Sequence, residues 1–265
     1  MPKTKNRATP IPDSNPRGRK AKKHPPRKPT ISKPSKSTYP AIIIFDVDGV
    51  LVETRQSFQR TTLETVKFFT RKRVTLRELH RWKNRPGFND DWKLCSAWVQ
   101  DLGFDVTFDQ IKTKFQELYW GKDDGNSGNV RGEKWLLPPA RLRRLSRRAE
   151  LTIFTGRYYR EMDYTLDRNN LHGLFGQIVT VEYTKRPKPA PDGLVKILNG
   201  RDPATALYLG DNVDDALAAQ AAGVPFVGVL PRKSEERRQR GAKLKHLGAL
   251  TILGHVNELE AWLRR

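Results

Sequence analysis

The sequence predicts an α/β protein, a parallel sheet covered on both faces by helices, with a helical bundle inserted after the first strand. Three observations carry this. Ile42, Ile43, Ile44 and Phe45 form a β-branched apolar run that reads as a strand buried on both faces. From Pro139 onward, short apolar runs alternate with amphipathic stretches of helical length, which is the rhythm of a parallel sheet. Between these two regions, 55–120 has helical periodicity and no convincing strand.

The chain of 265 residues carries a formal charge of +21. Much of it is local, because residues 1–40 hold eight lysines and four arginines against one aspartate, together with nine prolines. Such a composition reads as a disordered basic tail, and the charge points to acidic partners. Nothing before Ala41 supplies the apolar core of a secretory signal, and charges interrupt every run of membrane-spanning length. Cys95, the single cysteine, excludes an internal disulfide and fits a reducing cytoplasm. It reads as a small buried hydrophobe.

In the inserted bundle, Phe58, Leu63, Val66 and Phe69 lie near helical spacing, and Leu76, Leu79 and Trp82 continue it behind a capping Thr75. Asn89 or Asp90 caps a helix that buries Leu94 and Trp98, and Phe108, Ile111, Phe115, Leu118 and Tyr119 form a further amphipathic face. The tryptophans Trp82, Trp92 and Trp98 could shape a substrate pocket, but the core spacing of their neighbours favours packing of this bundle. Residues 121–132, GKDDGNSGNVRG, suit a loop or hinge that returns the chain to the main body. There follow a helix over 139–148, a strand over 151–154, a helix over 158–170, a strand over 178–181 and a helix over 192–199. A strand over 206–209, a helix over 214–222 and a strand over 226–229 come next, then an exposed basic stretch, a weak strand near 250–253 and a closing helix over 256–263.

Polar groups follow four of these strands, and a parallel sheet gathers such ends on one edge, where open α/β sheets bind ligands. Asp46 and Asp48 follow the first strand, one residue apart and projecting to the same side, with Gly49 allowing a sharp turn. Two carboxylates so close call for a cation or a shared proton. Thr155 and Gly156 follow the second strand and could hold a phosphoryl oxygen through a hydroxyl and an amide. Lys188 follows the third among Pro187, Pro189 and Pro191; Asp211, Asp214 and Asp215 follow the fourth. Asp214 reads as a charge favoured at a helix N-terminus. Arg157 is open between a contact to substrate phosphate and a surface arginine opening a helix.

In order, DVDGVLVE, FTGR, KPAP and GDNVDD resemble the four motifs of the haloacid dehalogenase superfamily of phosphohydrolases. The helical insertion between the first and second motifs resembles the phosphoglycolate phosphatase-like type, subfamily IA, with its cap on that connection. The resemblance implies a Rossmann-like core over 41–54 and 133–265 and a helical cap domain over 55–132. It also implies a Mg²⁺-dependent phosphatase acting on a small phosphorylated metabolite. In that scheme Asp46 attacks phosphorus and forms an aspartyl-phosphate, Asp48 is general acid and then general base, and Thr155 and Gly156 orient a phosphate oxygen. Lys188 neutralises the Asp46 and phosphate charges. The metal set is Asp46, Asp48 through its carbonyl, Asp211, and Asp215 supporting the water shell. A phosphomutase shares these motifs. A different class of function, a nucleic-acid-associated protein whose basic tail makes weak phosphate contacts and whose site serves polynucleotide ends or only a scaffold, follows from the tail. Neither the substrate nor the oligomeric state is legible.

Overall fold

The computed structural model describes residues 39–122, 127–232 and 237–265. The basic tail expected over 1–40 therefore lies, up to residue 38, outside the described residues, as does the middle of the expected 121–132 hinge.

Six strands form one parallel sheet. They are β1 (Ile42–Phe45), β4 (Glu150–Phe154), β5 (Gln177–Val179), β6 (Ala206–Gly210), β7 (Phe226–Val229) and β8 (Ile252–Leu253). The spatial order is β5-β4-β1-β6-β7-β8, so the opening strand sits in the middle, with Ile42 beside Glu150 on one flank and Ala206 on the other. Its alternation explains why the whole run is apolar. Ile43 and Phe45 join a core with Leu142 and Leu145 of α5 (Pro139–Ser146), Met162 and Leu166 of α6 (Tyr159–Arg168), and Leu259 of α10 (Leu259–Leu263). Ile42 and Ile44 face a second core built by Leu194 and Ile197 of α7 (Asp192–Leu198), Ala216 and Ala219 of α8 (Val213–Ala222), and Leu244 of α9 (Arg237–His246).

The α/β architecture is as the sequence predicts, with local differences. The third strand ends at Val179, and Thr180 leads out of the sheet into a short 3₁₀ turn over Val181–Tyr183. The basic stretch after Pro231 contains a helix, α9, that was not expected; Gly241 and Leu244 are its buried positions, too few to give an amphipathic pattern.

Between β1 and β4 lie α1 (Phe58–Thr70), α2 (Leu76–Lys83), α3 (Asp91–Asp101) and α4 (Phe108–Trp120). Their starts follow from local chemistry. Thr75 with Glu78 and Thr107 with Gln110 form reciprocal capping boxes, and the Asp90 carboxylate accepts the Trp92 and Lys93 amides. These four helices enclose a core of their own, centred on Val66, Leu79, Leu94, Ile111, Phe115 and Tyr119. Cys95 is buried within it, and burial pushes its thiol pKa up, as expected of a packing cysteine. Trp82 and Trp98 pack there as expected, their ring centroids 6.4 Å apart.

The chain passes into and out of this bundle through a two-stranded antiparallel ribbon, β2 (Val52–Glu53) and β3 (Lys134–Trp135), with Val52 opposite Trp135. No helix among the described residues is long and apolar enough to cross a membrane.

Candidate active site

The ends of the central strands bring the polar residues together. β1 hands over to Asp46, whose amide still donates to Leu209 of β6 at 2.8 Å, and β4 hands over to Thr155, whose amide donates to Val179 at 3.0 Å. Side chains that follow neighbouring strands therefore converge although the sequence separates them by more than a hundred residues.

Lys188 is the hub. Its ammonium donates to Asp46 Oδ1 and to Asp215 Oδ1, both at 2.7 Å, with about 1% of the lysine side chain exposed. Burial disfavours its charge, but the two carboxylates outweigh burial and raise its pKa, so it stays an ammonium. The ring faces of Phe154 and Tyr208 lie 4.7 and 5.4 Å from Nζ and complete its surroundings.

Oxygens of Asp46, Asp211 and Asp215 all lie within 4.8 Å of one another. Burial, then the neighbouring Asp215 charge, drive the Asp46 carboxyl well above the usual range against the pull of Lys188. Asp211 is pushed up to about 6, by burial and Asp215, despite Arg240. Lys188 bonds two of these carboxylates and Arg240 approaches the third, and oxygens gathered this closely are what a divalent cation would bind.

The three acids differ in what they have left to offer. Asp215 accepts Lys188 and the Tyr208 hydroxyl (2.6 Å) on Oδ1, and the amides of Asp211 (3.1 Å) and Asn212 (3.2 Å) on Oδ2. Its lone pairs are therefore committed to protein donors. Asp46 Oδ2 accepts no hydrogen bond among the described residues, and Asp211 meets Arg240 at 3.7 Å and the Asn212 amide group at 3.4 Å.

Two glycines make this crowding feasible. Gly49 has φ +78°, and a Cβ there would run into the Asp211 carboxylate; a Cβ at Gly210 would run into Asp215.

Asp48 does not join the carboxylate trio. Its Oδ1 accepts from Arg157 Nε at 3.0 Å and Nη2 at 2.7 Å, and its side chain is about 37% exposed. Of the two readings the sequence left open for Arg157, the surface position is the one the structure overturns. Arg157 is buried, it spans Asp48 and Glu133, and no surface position is involved. Thr155 is buried beside it and accepts the Arg157 amide at 3.1 Å. Gly156 faces the Asn89 side chain of the helical bundle.

Several members of the site carry no motif. The loop over 84–90, between α2 and α3, is tied to the residues that follow β6 and to α9. The Gly87 amide donates to both oxygens of Asp214 at 3.0 and 3.1 Å; Asn212 Nδ2 donates to Asn89 Oδ1 at 2.9 Å; Arg240 Nε donates to Asn84 Oδ1 at 2.9 Å. Asp214 does stand in the first turn of α8, as the helix-end reading has it, but it is buried and holds the bundle loop. Lys83 pairs with Asp91 at 2.8 Å, near enough to Asp48 and Asp211 that both help to raise its pKa against the cost of burial. Pairings across such sequence distances leave no local pattern to read.

A cavity of about 300 Å³ lies between the sheet edge and the bundle. Asp46, Thr155 and Lys188 line one wall; Asn89, Trp92 and Lys112 line the opposite one. Trp92 is therefore more than packing: it stacks on Tyr158 at 4.9 Å, under Lys112 at 4.5 Å.

Known proteins resemble this chain in sequence and in fold. The chain is 30% identical over 197 residues to an imidazoleglycerol-phosphate dehydratase of Phytophthora nicotianae, covering 71% of this chain but 43% of that protein, so it spans about two-fifths of that relative. It is 22% identical over 197 residues to the pyrophosphatase PpaX of Bacillus velezensis, covering 71% of this chain and 82% of the relative. The crystal structure of a predicted phosphoglycolate phosphatase from Haemophilus somnus superposes with a TM-score of 0.64 at 18% identity, over 84% of this chain and 97% of that one, and shows the shared fold. The profile of the haloacid dehalogenase-like hydrolases matches residues 43–229, from the first strand through the fifth strand of the sheet. With the match extending over most of its length, the chain belongs to the haloacid dehalogenase-like hydrolase family.

Proposed function

We propose that the protein is a Mg²⁺-dependent phosphatase that hydrolyses a small phosphorylated metabolite through an aspartyl-phosphate on Asp46. The observation that carries this reading is the buried Asp46–Lys188–Asp215 array, in which one oxygen of Asp46 is held by an ammonium and the other meets no donor among the described residues. On this reading residues 41–54 and 133–265 form the catalytic core and 55–132 a cap over it. The pyrophosphatase named among the relatives supports phosphorus chemistry of this kind.

A phosphate ester repels an anionic nucleophile, so the site must offset charge before Asp46 can approach phosphorus. Lys188 does part of this by balancing Asp46 and one phosphoryl oxygen. Asp46, Asp211 and the carbonyl of Asp48 would hold Mg²⁺, a hard ion suited to oxygen donors, while Asp215, saturated by protein donors, fixes Lys188 and the start of α8. When bound, the metal would supply positive charge against the phosphoryl oxygens and the crowded carboxylates. Thr155 and the Gly156 amide orient a phosphoryl oxygen. As the P–O bond to the leaving alcohol breaks and the Asp46–phosphorus bond forms, Asp48 delivers a proton to the departing oxygen. The resulting Asp48 carboxylate then takes a proton from the water that attacks the aspartyl-phosphate, which releases phosphate and restores Asp46. The cavity of about 300 Å³ suits a compact substrate.

The test is a panel of phosphorylated metabolites, with p-nitrophenyl phosphate as a generic substrate, assayed for released phosphate with Mg²⁺ and with EDTA. The reading expects release that depends on the metal and disappears in Asp46→Asn; full activity in that variant would overturn it. An isomerised sugar phosphate as the product would make the enzyme a mutase.

A further inference from the structure

Arg157 is a large side chain with almost no exposure, and no step described above uses it. It lies within a network that begins at Asp48 and ends at the crossing between sheet and bundle. Its Nε and Nη2 both donate to Asp48 Oδ1. On the other side Nη2 donates to Glu133 Oε1 at 2.8 Å and Nη1 to Glu133 Oε2 at 3.1 Å, the fork-to-fork geometry that fixes a guanidinium plane. Nη1 also donates to Thr165 Oγ1 at 2.8 Å. Glu133 is itself held by the Tyr119 hydroxyl at 2.9 Å, from α4, and by Thr165 at 3.0 Å, from α6. The Phe58 ring at the start of α1 covers the guanidinium at 4.9 Å.

Glu133 immediately precedes β3, and β3 pairs with β2, which lies only four residues beyond Asp48. One buried cation thus connects the acid at the end of β1 to the residue that precedes β3, where the chain leaves the bundle.

We propose that Arg157 and Glu133 are positioning residues for Asp48, setting the orientation of its carboxyl from the ribbon that joins the sheet to the helical bundle. This rests on the reading of Asp48 as general acid. Among the described residues Arg157 is the donor that the Asp48 carboxyl meets, so the rigid fork of Arg157 supplies the restraint on that group. A displaced bundle takes Tyr119 from Glu133 and Phe58 from the guanidinium, lets the guanidinium turn and withdraws Asp48 from the leaving oxygen. Proton delivery then occurs when the bundle sits over the site.

The test compares phenyl phosphate with p-nitrophenyl phosphate, which are close in size and differ in how much their leaving oxygen needs a proton. The quantity measured is kcat/KM, which reports transfer of the phosphoryl group to Asp46 and not the later attack of water. In Arg157→Lys and in Glu133→Gln, kcat/KM for phenyl phosphate is expected to fall by about tenfold or more, a modest part of what general acid catalysis contributes, and that for p-nitrophenyl phosphate by less than about threefold. The double variant is expected to match Arg157→Lys, because both substitutions break one device. Thermal unfolding measured alongside shows whether each variant is folded, and Glu133→Gln, nearly isosteric, carries the test if Arg157→Lys does not fold. An equal fall on both substrates, or no fall on either, overturns the proposal. Asp46→Asn separates this from the underlying reading: activity surviving in that variant removes the phosphatase mechanism, whatever the two positioning variants do.

Discussion

Replacing Lys188 by methionine tests the electrostatics of the site, because it keeps the side chain's length and removes its charge. The wild-type ammonium compensates Asp46 and Asp215, which are 4% and 0% exposed as side chains. Without it, carboxylates whose oxygens lie within 4.8 Å of one another face each other uncompensated. At that separation, with an effective dielectric of about 20, each pair of charges repels by roughly 3 kcal/mol. Breaking a buried ion pair on one side costs a similar amount, about 3–5 kcal/mol. For a domain of this size that corresponds to a fall in Tm of roughly 10 °C at neutral pH. Acidification should narrow the deficit. The folded-state pKa values of Asp46 and Asp211 lie above their unfolded values, so the stability these two contribute is complete below the unfolded value and is lost as pH rises through the folded one. Mg²⁺ should also narrow it, by supplying charge in place of the ammonium. The assay is thermal unfolding of wild type and Lys188→Met from pH 5 to 8, with EDTA or Mg²⁺, together with phosphatase activity, which should fall by at least about 10²-fold. Equal Tm values at every pH would refute the reasoning, as would a deficit that widens on acidification.

Three further outcomes follow from the same geometry. Gly49→Ala forces a side chain into the left-handed region and against Asp211, so phosphatase activity is expected to fall at least about tenfold, with an unfolding cost of roughly 1–3 kcal/mol by chemical denaturation. Glu161, buried beside the cavity, has its carboxyl raised from the ordinary 4.5 to about 8, chiefly by burial and against the Tyr158 amide that it accepts. Its contribution is complete below the unfolded value and lost as pH rises towards 8 and beyond, so Glu161→Gln should flatten the fall in Tm between pH 6 and 9; an unchanged slope would contradict this. Asp214→Ala leaves the Gly87 amide without its partner and should cost about 1–3 kcal/mol in denaturant unfolding, whereas a surface helix-end charge would cost less than about 1 kcal/mol.

The parts of the site that the sequence reveals are those written as short polar clusters directly after apolar runs. Asp46, Thr155, Lys188 and Asp211 each follow a strand, and a parallel sheet gathers them without further information. The helix starts at Thr75 and Asp90 were legible for a similar reason, since a cap and the helix it opens lie within a few residues. What the sequence does not show is made across distance. Arg157 and Asp48 are separated by 109 positions, Gly87 and Asp214 by 127, and neither pair disturbs any local pattern. The ribbon of β2 and β3 was hidden for another reason: two residues per strand are too few to establish an alternation. α9 was missed because its polar composition overwhelms the single buried leucine.

The central claim is that Asp46 is the nucleophile, and the most direct measurement is mass spectrometry of the enzyme quenched in acid during turnover with Mg²⁺ and substrate. The account predicts a phosphoryl group on the peptide carrying Asp46, formed within the first turnover and absent in Asp46→Asn. Steady release of phosphate with no covalent phosphoryl group on Asp46 at any quench time would contradict it.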